Sequence, residues 1–204
     1  MNRKEAKQHK KEVRKQVRDF LKDPSKRELR IKYKGPKLTA ALHWYILRNP
    51  LRMLWTSFIG EICRKLPPCE FKNNLYRMIG VKIGKDVCIS PDVVIDWLFP
   101  DLIEIGDGTL LGADTWITGH SILIDEFRLG RVKIGKQVMM GSYTSNEPPT
   151  TIGDKAIIGV YTYINKDIPP ECFVVGIPCT IKKDLKGTHY LEEFNKDKKF
   201  SEKK

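Results

Sequence analysis

The sequence lacks both a long uncharged apolar run and a paired-cysteine motif. No uncharged apolar stretch reaches the roughly 18 residues that span a bilayer, so a transmembrane helix is not expected. The opening stretch MNRKEAKQHKKEVRK has no apolar core, so we expect no signal peptide and a cytoplasmic protein. The five cysteines are odd in number and form no C-x-x-C pair, which argues against a disulfide framework and a structural zinc site.

Acidic residues are scarce in the first part of the chain, where the positive charge is concentrated. The net charge is +12. Residues 1–37 carry 15 Lys and Arg against 5 Asp and Glu, and residues 38–82 carry 7 against 2, whereas residues 83–204 carry 15 against 18. This asymmetry indicates either contact with an anionic partner, such as a membrane, a nucleic acid or a polyanionic glycan, or a solvated charged helix.

A six-residue repeat begins at Ile83 and continues, with one interruption, into the hexad that opens at Ile164. Eleven of its twelve hexads open on an apolar residue, and Asn146 is the exception. The leading residues are Ile83, Ile89, Ile95, Ile105, Leu111, Ile117, Ile134, Met140, Ile152, Ile158 and Ile164. A period of six fits a chain that turns a corner after each short strand, and three sides close a triangular coil. A glycine often follows the leading residue, where it allows a positive φ or a close backbone approach.

Two stretches carry a resemblance to a known family: TGH at 118–120 and INKDIPPECFVVGIPCTIKK at 164–183. With the hexads, they resemble the hexapeptide-repeat (isoleucine-patch) acyltransferases, in particular the galactoside- and maltose-type sugar O-acetyltransferases. The resemblance implies a mainly β chain, a left-handed parallel β-helix over residues 81–183 with an N-terminal α-helical extension. It also implies a homotrimer with active sites between adjacent prisms, and acetyl-CoA as co-substrate. The acetyl group would pass to a hydroxyl of a sugar or glycan precursor.

His120 is the only histidine between positions 44 and 188, and it precedes the interruption in the repeat. Imidazole titrates near neutral pH and can take a proton from a sugar hydroxyl. The resemblance makes His120 the general base, and residues 124–133 a loop that leaves the prism and helps to form the acceptor pocket. Glu147 lies one coil further on, and either orients the imidazole or is a simple corner residue.

The resemblance also assigns binding residues. The coenzyme contacts fall on Ser142, Val160, Asn165, Lys166, Thr180 and Lys183. Candidate acceptor-binding residues are Ser90, Asp96, Trp97 and Arg128. Thr180 stands where arginine is commoner, and Ser90 and Leu98 replace the asparagine and aspartate that hold the sugar in galactoside enzymes. Asp96 and Trp97, their neighbours, could supply a carboxylate and a stacking face instead. The identity of the acceptor, and the choice between acetyl and a longer acyl group, stay open.

The first 80 residues divide into two parts. Residues 1–37 form a basic arm, either helical or disordered, with a charged helix predicted to residue 34. Residues 38–80 form an amphipathic helical cap, with helices at 38–48 and 51–66. One face of the second helix contains Leu51, Leu54, Trp55, Phe58, Ile59, Ile62 and Leu66. This face either packs on the prism or lies on anionic lipid at the inner membrane surface. Residues 184–204 form a charged tail.

Two functions of other classes were weighed. A γ-type carbonic anhydrase needs three histidine ligands on its metal, and His120 is the only histidine of the prism, so no metal is expected. A non-catalytic trimeric scaffold with a lipid- or polyanion-binding arm is the alternative to the enzyme. We expect no nucleic-acid partner.

Overall fold

Three parallel sheets form the sides of a prism in the computed structural model, which describes residues 3–35 and 39–187. The first sheet contains β2 (Lys82–Ile83), β5 (Ile103–Ile105), β10 (Val132–Ile134) and β13 (Thr150–Ile152). The second contains β3 (Cys88–Ile89), β6 (Leu110–Leu111), β11 (Met139–Met140), β14 (Ile157–Ile158) and β16 (Cys172–Val175), with β17 (Thr180–Asp184) antiparallel at its edge. The third contains β4 (Val94–Ile95), β7 (Trp116–Ile117), β12 (Ser145–Asn146) and β15 (Tyr163–Ile164). The predicted left-handed parallel β-helix is confirmed.

The leading residues of the hexads stack on one another inside the prism. Ile83 pairs with Ile105, which pairs with Ile134, and the same register continues to Ile152. Asn146, the polar exception, occupies an inner position of the third sheet and is buried. Its side chain accepts from Thr118 N and donates to Thr118 O, both at 3.0 Å. The side-chain amide of Asn146 therefore provides hydrogen-bond partners for the backbone N–H and C=O of Thr118, close to the interruption of the repeat.

The corners of the prism use a left-handed backbone at the fourth residue of the hexad, not at the glycine that follows the leading residue. Asp86, Asp114 and Gln137 have φ values of 55°, 57° and 54°. The glycines serve the second predicted purpose, because a Cβ on Gly106 would lie 2.6 Å from the carbonyl carbon of Gly135 one coil away. Adjacent coils thus approach too closely for a side chain at that position.

The interruption of the repeat is an antiparallel hairpin, so the prediction of a loop at 124–133 was wrong. It consists of β8 (His120–Ile122) and β9 (Glu126–Gly130). β9 also pairs with β1 (Glu28–Lys32) from the N-terminal arm. This pairing places Ile31 opposite Phe127, and both are buried.

The arm folds onto this hairpin and is not one continuous helix to residue 34. α1 (Arg3–Lys22) ends before β1, because residues 28–32 gain strand partners that no local pattern reveals. Val13, Val17 and Phe20 of α1 enter a second hydrophobic core, beside the 3-10 helix Ala40–Ile46. The arm is therefore part of the folded body.

Two helices cover the first coil. α2 (Pro50–Lys65) is capped at its N-terminus by Asn49, whose side chain accepts from Leu51 N at 2.9 Å. α3 (Glu70–Ile79) was not among the predicted helices. Its Asn73 Nδ2 donates a hydrogen bond to Val87 O at 2.9 Å. The contact between Asn73 and Val87 agrees with the interpretation of residues 38–80 as a cap.

The apolar face predicted for α2 is not the face that packs on the prism. The buried residues of α2 are Thr56, Ile59, Gly60 and Cys63. Only Ile59 belongs to the predicted face, whereas Leu51 and Phe58 are exposed. Small side chains let the helix approach the first coil, and this packing turns the larger ones outward.

Within residues 3–35 and 39–187, no helix is both long and apolar enough to cross a membrane. Most of the predicted tail at 184–204 lies outside the described residues, which end at 187.

Candidate active site

His120 opens β8, where the chain leaves the prism, and its ring contacts a buried carboxylate. Nδ1 lies 2.5 Å from Asp96 Oδ2. The His120 side chain is 20% exposed, so it is mostly enclosed. Since an ionised carboxylate can only accept, Nδ1 carries the proton and the lone pair of the neutral ring is on Nε2.

Asp96 follows Ile95 at the end of β4 and is held by four hydrogen bonds. Oδ1 accepts from the N–H groups of Leu98 at 2.9 Å and Phe99 at 2.8 Å. Oδ2 accepts from Gly119 N at 2.8 Å and from the imidazole. Asp96 is only 3% exposed. The prediction that it binds the acceptor is therefore wrong, because every oxygen faces a donor of the protein itself.

The two groups shift each other's pKa in opposite directions. Burial alone would raise the pKa of Asp96, but the charge of His120 and the hydrogen bonds to the carboxylate outweigh it and lower that pKa. Burial alone would lower the pKa of His120, but the charge of Asp96 and its hydrogen bond raise that pKa above the usual value of 6.5. The pair therefore favours an ionised aspartate beside a more basic imidazole.

Phe99 forms one wall beside the imidazole, a role that the sequence did not suggest. The two ring centroids lie 6.2 Å apart, and Phe99 is fully buried. Arg48 stacks on Phe99 at 5.1 Å. Trp97, between Asp96 and the Leu98–Phe99 turn, is 36% exposed and its carbonyl accepts from the Thr56 hydroxyl. Of the predicted acceptor residues, Trp97 thus keeps an exposed face next to the pair.

Arg128 and Ser90 lie apart from the imidazole. In the hairpin, His120 is opposite Leu129, while Arg128 is opposite Ser121. Because side chains alternate along a strand, Arg128 is on the other face of the hairpin from His120. Its Nε donates to Glu126 at 3.2 Å. Ser90 follows β3 at a different edge of the prism, where its carbonyl accepts from Lys72 Nζ at 2.9 Å.

Glu147 does not support the imidazole. It is exposed, and its Oε2 accepts from the Tyr163 hydroxyl at 3.2 Å. The carboxylate at His120 is Asp96, which lies 24 residues earlier in the chain. Of the two alternatives for Glu147, the contacts favour the corner residue, because the coil before His120 supplies the carboxylate at Nδ1.

The predicted coenzyme residues lie on two edges of the prism and on β17. Ser142 and Val160 follow β11 and β14, so they lie on the edge between the second and third sheets. Asn165 and Lys166 follow β15, on the edge where Asp96 follows β4. Thr180 and Lys183 are exposed on β17. One prism therefore does not gather all of these positions around its own His120.

In the part of the chain that the structure describes, no group of three or more His, Cys, Asp or Glu side chains is placed to hold a metal ion. Burial raises the pKa of Cys63 to about 11 and raises that of Cys172.

No family model matches the chain, but its sequence is similar to those of several bacterial proteins. One of them is YvoF of Bacillus subtilis (strain 168), which is named as an acetyltransferase. It is 36% identical to this chain over 141 residues, which are 68% of this chain and 82% of YvoF. A hexapeptide-repeat acetyltransferase of Vibrio cholerae, solved with acetyl coenzyme A, matches with a TM-score of 0.56 and 19% identity, over 67% of this chain and 88% of that one. The chain belongs to the hexapeptide-repeat acyltransferases.

A further relative in this family has a named substrate class. The galactoside O-acetyltransferase of Escherichia coli (strain K12) is 31% identical over 141 residues, 65% of this chain and 66% of that enzyme. The predicted resemblance to the hexapeptide-repeat acyltransferases is thus confirmed, and the protein is an acetyltransferase.

Proposed function

We propose that this acetyltransferase transfers an acetyl group from acetyl-CoA to a hydroxyl of a sugar or glycan precursor. Family membership supports the acetyl donor, and the galactoside-acetylating relative supports a sugar hydroxyl as the acceptor. The observation that carries the proposal is the Asp96–His120 pair, with Nδ1 held at 2.5 Å. A buried aspartate that fixes the tautomer of an imidazole leaves Nε2 as a base.

In the proposed mechanism, transfer is direct. His120 Nε2 takes the proton of the acceptor hydroxyl while Asp96 stabilises the imidazolium that forms. The acceptor oxygen bonds to the thioester carbonyl carbon, the carbon–sulfur bond breaks, and the departing thiolate recovers the proton from His120. Backbone N–H groups of the cleft would stabilise the oxyanion. Burial raises the pKa of Cys63 and Cys172, which argues against either of these two cysteines as a nucleophile.

The residues proposed for the coenzyme fit a phosphate-bearing ligand. Val160 is 60% exposed at its edge of the prism, where a ligand could contact it. Lys166 and Lys183 are exposed and present point charges to phosphates. Thr180 keeps a hydroxyl, which donates to Val175 O at 3.2 Å, in place of a charge.

A homotrimer is proposed because the candidate site is split. Ser142 and Val160 lie on a different edge of the prism from Asp96, and a neighbouring prism could bring the two edges together. Sedimentation should give about three times the chain mass of 23.6 kDa at working concentration. A monomer that still transfers acetyl groups would rule out the shared site. A cytoplasmic location, with peripheral contact at the inner membrane face, stays a prediction.

The acceptor class is tested by incubating the enzyme with radiolabelled acetyl-CoA and a panel of acceptors. Galactosides, maltose, amino sugars and nucleotide sugars separate hydroxyl acceptors from amine acceptors. We expect an alkali-labile ester on a sugar hydroxyl. Label found only in an alkali-stable amide would reject O-acetylation while keeping acetyl transfer.

A further inference from the structure

α2 presents an apolar stripe to solvent that its packing on the prism does not use. The stripe residues are Leu51, Leu54, Trp55, Phe58 and Ile62, which are between 38% and 75% exposed. Their spacing of i, i+3, i+4, i+7 and i+11 places them along one side of the helix. A contiguous exposed patch of this kind usually marks a binding surface.

A basic cavity opens at the start of the same helix. Its volume is about 520 Å³, and Val17, Leu21 and Leu47 contribute an apolar floor. The cationic lining residues are Arg14, Arg18, Lys22, Arg48 and Arg52. Of the described residues that line it, none is acidic. Asp101 accepts from Arg48 and Arg52, which leaves the lining with an excess of positive charge.

The cavity and the stripe adjoin at the start of α2. Asn49 and Arg52 line the cavity, and Leu51, which begins the stripe, lies between them in the chain. Cationic side chains beside an exposed apolar helix face, with Trp55 among them, match the two parts of an anionic phospholipid: a phosphate headgroup and an acyl chain. The basic cavity alone would also fit a polyanion, and the apolar stripe alone would also fit another protein.

A second copy of the chain fits this surface less well. Its basic cavity would carry the same sign of charge and would repel. The prism also has exposed apolar side chains of its own, such as Trp116 and Tyr143, that are available for contacts between copies. We propose that the stripe and the basic cavity together dock the enzyme on a membrane surface containing anionic phospholipid.

The test is flotation of the full-length protein with vesicles of phosphatidylcholine alone, or of equal parts phosphatidylcholine and phosphatidylglycerol. Wild-type protein should prefer the anionic vesicles, and the preference should fall as salt is raised. Phe58→Asp should weaken binding by at least about tenfold, because one large apolar side chain no longer inserts. Ile181→Asp is the matched control: Ile181 is 47% exposed but lies on β17, at the far end of the prism.

Charge reversal tests the cavity separately. Arg18→Glu with Lys22→Glu should abolish the preference for phosphatidylglycerol. Lys82→Glu with Lys133→Glu changes the net charge equally on exposed prism positions and should keep it. Deletion of residues 1–37 is unsuitable, because it would remove Val13, Val17 and Phe20 from the second core.

Two results would overturn the proposal. One is equal flotation of wild type and Phe58→Asp; if this variant also dissociates the oligomer, the stripe belongs to a contact with a second copy. The other is an equal loss of flotation in the two charge-reversal pairs, which would indicate net charge and not the cavity. Acetyl transfer to a soluble acceptor, measured alongside, keeps this outcome separate from the proposed activity.

Discussion

Replacing Asp96 by asparagine keeps the shape of the side chain and removes the charge that His120 contacts. Oδ1 would still accept from Leu98 N and Phe99 N, but an amide nitrogen would then face Gly119 N–H and His120 Nδ1–H. Because two donors cannot pair, the imidazole should move its proton to Nε2 and accept from the amide at Nδ1. The tautomer with a basic Nε2 is then lost.

Asp96→Asn should lower the acetyl-transfer rate by about 10²–10⁴, which is most of the contribution of a positioned general base. If the asparagine instead turns its oxygen toward His120, the amide faces the N–H groups of Leu98 and Phe99. Each unpaired buried group then costs about 1–3 kcal/mol of the free energy of unfolding. In either arrangement the residual activity should titrate at lower pH, because burial still lowers the pKa of His120 and the opposing charge is gone.

The assay is the initial rate of acetyl transfer between pH 5 and 9, with denaturant unfolding measured on the same samples. Glu147→Gln is the comparison, since Glu147 contacts Tyr163 and not the imidazole. It should retain most of the rate with an unchanged pH profile. Full activity in Asp96→Asn, or a large loss in Glu147→Gln, would show that the wrong carboxylate has been placed at the base.

Three further predictions concern the pair and the prism. The Asp96–His120 pair should stabilise the fold most between about pH 4 and 6.5, as checked by unfolding at several pH values. A lowered aspartate pKa gives stability that is lost as pH falls, and a raised histidine pKa gives stability that is lost as pH rises through it. Asn146→Leu should cost about 2–4 kcal/mol in urea unfolding, because both backbone groups of Thr118 lose their partner. Gly106→Ala should lower Tm through its 2.6 Å contact, whereas Gly60→Ala in α2, with nothing within 4 Å, should not.

The prism could be predicted because its information is local and repeated. A leading apolar residue every six positions fixes the coil, and stacking follows without knowledge of the rest of the chain. Even the exception at Asn146 marks the coil next to the interruption. The same pattern could not reveal the strand at residues 28–32, because its partner is β9, about a hundred residues later.

The site was predicted less completely, for a related reason. His120 stood out as a lone histidine beside a broken repeat, but its carboxylate had to be found one coil away. Asp96 and Thr118 each follow the leading residue of the third sheet, and this shared position was the available signal. Asp96 was instead assigned to the acceptor as a neighbour of Ser90 and Leu98, and two of the donors that enclose its carboxylate belong to the Leu98–Phe99 turn, which no pattern predicts.

The orientation of α2 on the prism could not be predicted from apolar periodicity alone. Its apolar spacing correctly indicated an amphipathic helix, yet the small residues Thr56, Gly60 and Cys63 are the ones that pack on the prism. Hydrophobicity alone ranks the larger face as the buried one. The close approach allowed by small side chains decided the orientation instead.

The proposed base of the acetyl transfer is His120. The decisive measurement is the rate of transfer from radiolabelled acetyl-CoA catalysed by wild type and by His120→Ala, each at several pH values. We expect a fall of about 10²–10⁴ in His120→Ala with unchanged oligomeric state, and a wild-type rate that rises with pH through a midpoint above the usual 6.5. A His120→Ala enzyme with the full rate and the wild-type pH profile would contradict it.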